Sequence, residues 1–264
     1  VVASQVSAEI YRRRNEEFSQ KTGWRIETVS ARQAKNMEII RMQKISAKRF
    51  SELSPEEKAV VSRQIIMWHS NPGFGEVEKG RDFVIIDPDI HSGNFLVDMD
   101  AKVIYALDKG QIISVGSQDV EGIFSLLQLM AEVRLGASDV TRLVGQLEIM
   151  TKQKAAPDLE SKISDYLMAS QADEMTGEKF LKDLLQVFRI SASAGIQLDE
   201  VVQDWINQMQ NLLYFEKHLP EAERSLHQRI AEKVMSKMAT GEAAQLSPRQ
   251  FCRSVVEILA EGVR

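Results

Sequence analysis

At 264 residues, with 44% hydrophobic and 27% charged residues, the chain carries enough apolar material for a full core, as one large domain or two small ones, and lies far from the composition of disordered segments. A formal net charge of -5 argues against a whole-chain electrostatic footprint for nucleic acid, so no nucleic-acid partner is expected. The lone Cys252 excludes an internal disulfide and any multi-cysteine zinc site, and it fits a reducing compartment such as the cytoplasm.

The opening Val1-Val2-Ala3-Ser4-Gln5 has no initiator Met, no basic leader and no apolar signal core, and reads as a cut end. Residues 6–20 predict a polar helix whose triplet Arg12-Arg13-Arg14 forms a solvated face. Short extended stretches follow near 26–29 and 37–40. In Ser54-Pro55-Glu56-Glu57 a Ser stands at the N-cap, Pro at the first helical position and Glu three residues after the cap, which predicts a helix start. That helix is expected to bury Val60, Val61, Ile65, Ile66 and Trp68, and Asn71-Pro72-Gly73 ends it.

A charged loop is then expected before the β-rich Phe83-Val84-Ile85-Ile86, which runs directly into Asp87-Pro88-Asp89-Ile90-His91-Ser92-Gly93-Asn94. Residues 95–97 and 103–107 flank the polar turn Asp98-Met99-Asp100-Ala101-Lys102, a hairpin pattern whose far strand ends at Asp108. From Gln118 the apolar spacing is helical, predicting helices at 118–135, 138–152, 158–170, 176–192, 198–217, 220–239 and 248–261, several stopped by a glycine such as Gly136 or Gly195. No period of 20 to 50 residues recurs. A short β unit followed by a helical mass predicts the α+β class.

Phosphoryl transfer asks a protein for an acid that orients and deprotonates the acceptor hydroxyl, and for hard oxygen ligands to the magnesium that neutralises phosphate charge. An Asp in a loop, an Asn five residues later and an Asp after a hairpin meet that need, because a hairpin returns the chain to its starting point. In this reading Asp89 faces the acceptor, Asn94 and Asp108 hold magnesium beside ATP, and His91 braces the loop.

Asp89-Ile90-His91-Ser92-Gly93-Asn94 and Leu107-Asp108-Lys109-Gly110-Gln111 resemble the UbiB/AarF-type atypical kinases, whose catalytic loop runs Asp-Pro-His-Pro-Gly-Asn and whose metal motif is Leu-Asp-Phe-Gly, often followed by Gln. Met37-Glu38 is similar to that family's hinge-side strand, where nucleotide is held, and 198–219 to one of its late helices. The resemblance covers roughly 35–220. It implies a protein-kinase-like C-terminal lobe, mostly helical with a small β-hairpin unit, an incomplete or absent front lobe, and two parts: 1–50 as the remnant of front lobe and hinge, and 51–264 as the helical lobe with its catalytic and metal loops at 87–111.

The resemblance further implies an ATP- and magnesium-dependent kinase or ATPase, with a role in isoprenoid quinone biosynthesis or lipid homeostasis, an unidentified acceptor and peripheral membrane association. Asn15 matches the Asn of the family's Glu-x-x-Asn helix, with Arg12 where Glu would stand. The departures are Ile90 and Ser92 for the two prolines, Lys109 for the Phe, and no Gly-rich phosphate loop: Gly73, Gly75 and Gly80 lack its spacing. A chain cut from a longer kinase and a degenerate stand-alone pseudokinase acting as a helical partner-binding module both remain open.

The loop of the aminoglycoside and choline kinases, Asp-x-His-x-x-Asn, fits Asp89, His91 and Asn94 equally well. A hydrolase metal site built on Asp87, Asp89 and His91 is a further alternative, whereas an EF-hand fails on its β-like flanks and misplaced Gly93. The four His are scattered, and Cys252 reads as a buried structural thiol. The longest apolar run, 123–130, falls well short of the ~18 residues of a membrane span. A soluble or membrane-peripheral cytoplasmic protein is expected.

Overall fold

The computed structural model describes residues 12, 15–16, 18–29, 31–33, 40–42, 44–69, 76–78, 81–107, 113–134, 136, 138–170 and 177–224. The chain is α+β, mostly helical, with a small mixed four-stranded sheet. It divides into two units, one drawing on 1–74, 85–114 and 207–221, the other on 75–84, 115–206 and 222–264.

In the first unit, helix α1 is described at 12, 15–16 and 18–22. Its Asn15 clamps the following strand β1 (Arg25–Thr28): Nδ2 donates to the Ile26 carbonyl at 2.8 Å, and Oδ1 accepts the Ile26 amide at 2.9 Å. Arg12 is exposed and pairs with Glu16 one turn on, while Arg13 and Arg14 lie outside the described residues. Strands β2 (Ala31–Gln33) and β3 (Ile40–Met42) form an antiparallel pair.

The main sheet has the order β1-β8-β7-β4, with β4 at Lys48–Arg49, β7 at Phe95–Asp98 and β8 at Val103–Ala106. β7 and β8 are the expected hairpin, in a register that pairs Phe95 with Ala106 and Asp98 with Val103. The turn closes because Asp98 Oδ1 accepts the Ala101 amide at 2.9 Å and Lys102 takes a left-handed φ of 54°. β1 adds to β8 in parallel, which local pattern does not announce.

Helix α2 (Pro55–His69) begins at the expected capping box: Ser54 Oγ accepts the Glu57 amide at 3.2 Å, and Glu57 returns to the Ser54 amide at 2.8 Å. Ser54→Ala is therefore expected to cost about 1 kcal/mol in a denaturant melt. Val61, Ile65, Ile66 and Trp68 are buried, and Val60 packs against the same core. That core joins the helix to the sheet through Ile26, Phe95, Val97 and Ile104, and to Leu212 and Phe215; rings of Phe18 and Trp68 meet edge to face at 5.1 Å. Each fully buried side chain of this kind contributes about 1.5–3 kcal/mol.

In the second unit, Glu76–Glu78 (β5) pairs antiparallel with the start of β6 (Arg81–Ile86). This corrects the expected charged loop: Glu, Asp and Gly are poor strand formers in isolation, yet the backbone here pairs in register, Glu78 opposite Arg81. After β9 (Ile113–Gly116) come α3 (Ser117–Arg134), α4 (Val140–Thr151), α5 (Leu159–Ser170) and α6 (Gly177–Ser193), and then α7 (Glu200–Glu216), whose residues from 207 onward belong to the first unit. Asp139 caps α4 by accepting the Arg142 amide at 3.2 Å. Gly195, at φ 89°, ends α6 as the left-handed residue a helix stop requires.

A charged network lies inside these helices. Asp183 Oδ1 accepts from Tyr166 at 2.7 Å, Ser170 at 2.8 Å and Lys179 at 2.9 Å, while Oδ2 lies 3.4 Å from Arg134 Nε. The predicted helices at 220–239 and 248–261, and Cys252, lie outside the described residues apart from a helical turn at 221–224. Among the described residues no helix is long and apolar enough to cross a membrane.

Candidate functional site

Strand β6 delivers the chain to Asp87 and Pro88, both buried. Beyond them, Ile90 is fully buried among Phe50, Phe95 and Phe215 and so seats the loop by apolar burial. The chain then tightens into a 3-10 turn, Ser92–Asn94, and opens into β7.

Asp89, His91 and Asn94 are brought together by this geometry. Asn94 is buried, and its Nδ2 donates to both the Asp89 carbonyl at 3.0 Å and the Asp89 carboxylate at 2.7 Å. Both amide hydrogens are thus used on Asp89, which leaves Oδ1 as the atom with which Asn94 can meet a cation. His91 Nδ1 accepts the Gly93 amide at 3.1 Å, so the hydrogen of the neutral ring sits on Nε2, 3.4 Å from the other Asp89 oxygen. A Cβ at Gly93 would lie 3.0 Å from both Cε1 and Nδ1 of the His91 ring, so a side chain there would press on that ring.

The hairpin brings its far strand back to the loop. The Leu107 amide donates to the Asn94 carbonyl at 2.7 Å, one step past the Phe95 to Ala106 pair. Asp108 itself lies outside the described residues, as do Lys109, Met37 and Glu38. Asp89 keeps about a third of its side chain exposed and His91 about half, so the carboxylate is partly open to solvent. Among the described residues no three His, Cys, Asp or Glu side chains gather as metal ligands, and Asp87, Asp89 and His91 do not form the hydrolase site. The strands flanking the loop likewise exclude an EF-hand.

Two residues that the sequence did not flag secure the loop's approach. Gln208 Oε1 accepts the Asp87 amide at 2.6 Å, and Asn211 Nδ2 donates to the Pro88 carbonyl at 3.0 Å. Their signal was a pair of amide side chains three residues apart, directly before Leu212 and Phe215 on a helix that packs into the core.

Fold and site define an α+β protein with an acid–amide loop closed by a β-hairpin. No protein-family model matches the chain, and no curated protein matches it.

Proposed function

We propose that the chain is a kinase-like phosphotransferase or ATPase of the UbiB/AarF type, its described residues forming the catalytic half of a kinase-like C-terminal lobe. The observation that carries this reading is the double engagement of Asn94, with the Asp89 carboxylate at 2.7 Å and the Leu107 backbone at 2.7 Å. An acid, an amide oxygen and the residue before Asp108 thereby converge.

In this reading Asp89, oriented by Asn94 and flanked by His91 Nε2, accepts the proton of an acceptor hydroxyl, or of water in hydrolysis, as that oxygen bonds to the terminal phosphorus of ATP and ADP departs. The donor set, an amide oxygen and a carboxylate, suits a small hard cation. Magnesium held by Asn94 Oδ1 and Asp108 would supply neutralisation of the phosphate charge. Met37 and Glu38 remain the proposed hinge contacts to nucleotide, by resemblance alone. Quinone or lipid metabolism at a membrane surface and a cytoplasmic setting are carried over from the same resemblance.

Lys109, a cation where the family has an apolar ring, favours a second reading: a pseudokinase that keeps the scaffold as a partner-binding helical module. A small-molecule phosphotransferase of the aminoglycoside or choline kinase type shares the Asp89, His91 and Asn94 chemistry. A thermal melt separates catalysis from the pseudokinase. Magnesium with ATP at a hundredfold excess over Kd is expected to stabilise the chain by about 2.7 kcal/mol, and Asp108→Ala to abolish the rise. A melting temperature indifferent to magnesium and ATP would favour the pseudokinase.

A further inference from the structure

Past the last residue of β6, the Asp87 amide and the Pro88 carbonyl are backbone groups at buried residues, and buried backbone groups of this kind need partners. Pro88 has no amide of its own to offer. Both needs are met from a single helix face, by Gln208 and Asn211, three residues apart on α7 and 121 and 123 positions away in sequence. Gln208 also reaches the carbonyl of His69, the last residue of α2, with its Nε2 at 3.4 Å. That carbonyl belongs to the end of a helix, where intrahelical partners run out.

We infer that Gln208 and Asn211 are positioning residues for the catalytic loop: they fix the two backbone groups immediately before Asp89, and so set where its carboxylate stands. This rests on the reading of Asp89 and Asn94 given above. The loop's internal bonds, His91 amide to Asp89 carbonyl at 3.0 Å and Asn94 amide to His91 carbonyl at 2.9 Å, fix its shape but not its placement. Placement comes from these two amide side chains together with Ile90 in the core and the Leu107 amide on the Asn94 carbonyl. Because transfer chemistry is sensitive to misplacement of about 1 Å, a tether two residues from the acid acts on function through geometry, without touching substrate.

The test uses near-isosteric variants that remove the hydrogen bonds, Gln208→Met and Asn211→Leu, against Leu212→Ala as a packing control on the same helix. Two readouts are taken on the full chain: hydrogen exchange of the His91 and Asn94 amides, and the rise in melting temperature with magnesium and ATP. Positioning predicts exchange at His91 and Asn94 about tenfold faster than in the control at matched global stability, reflecting the loss of one or more buried hydrogen bonds. It also predicts a diminished rise, while Leu212→Ala lowers the melting temperature but keeps the rise.

Protection and rise equal to those of the control would overturn the inference. If Gln208→Met does not fold, Asn211→Leu, which leaves the Asp87 bond in place, decides by the same readouts. Should the unmodified chain show no rise at all, the phosphotransfer reading falls, and the exchange of the loop amides alone decides whether Gln208 and Asn211 hold it.

Discussion

Asp183→Ala is expected to destabilise the helical unit by about 3–5 kcal/mol, because it strips the counter-charge from a buried arginine. The Arg134 and Asp183 side chains are 2% and 0% exposed and lie 3.4 Å apart, and Arg134 Nη1 also reaches the Leu167 carbonyl at 3.5 Å. Tyr166, Ser170 and Lys179 lose their common acceptor in the same step. A calorimetric melt should show a midpoint lower by roughly 6–20 °C at about 2–4 °C per kcal/mol. The double variant Asp183→Leu with Arg134→Met should recover much of that loss, since an apolar pair leaves no orphan charge. Midpoints unchanged by Asp183→Ala would mean that the network contributes nothing.

The same carboxylate gives the stability its acid limit. Burial alone would raise the Asp183 pKa, but hydrogen bonds from Lys179, Tyr166 and Ser170 and the Arg134 charge hold it below its ordinary value of 3.8. The unfolded chain therefore takes up this proton at a higher pH than the folded one. The Asp183 contribution is complete above about that ordinary value and is lost as the pH falls through the lower folded one. In Asp183→Asn the stability curve should flatten in this acid window, as read from denaturant midpoints against pH.

Asp89→Asn is expected to lower any magnesium- and ATP-dependent phosphate release or transfer by about 10²–10⁴-fold, the usual contribution of a general base. The substituted amide keeps an oxygen toward Asn94 Nδ2, so the loop can stay bonded, and nucleotide-induced stabilisation should persist. Phosphate release or transfer at the unmodified rate would remove Asp89 from the chemistry.

Much of this arrangement was legible because it is local. The capping box at Ser54, the polar turn between residues 98 and 102, and the helical apolar spacing after residue 117 each set their own element, and the five helices from α3 to α7 begin and end within two residues of expectation. What escaped is non-local. The parallel addition of β1 to β8 joins strands whose own patterns carry no partner label, and the charged β5 is a strand only because β6 pairs with it. Gln208 is an unremarkable helical glutamine until the fold sets it against an amide 121 positions away. At the site itself, the motif Asp89-x-His91-x-x-Asn94 was readable from spacing, but the locking of His91 by the Gly93 amide was not, since it depends on a ring standing over a residue with no side chain.

The shared cation is the central claim, and a crystal structure of the chain with magnesium and ATP tests it most directly. The account predicts one magnesium ion with Asn94 Oδ1 and an Asp108 carboxylate oxygen each at about 2.0–2.1 Å, and the Asp89 carboxylate beside the terminal phosphate. An Asp108 side chain directed away from Asn94, too far to share an ion with it, would contradict the account.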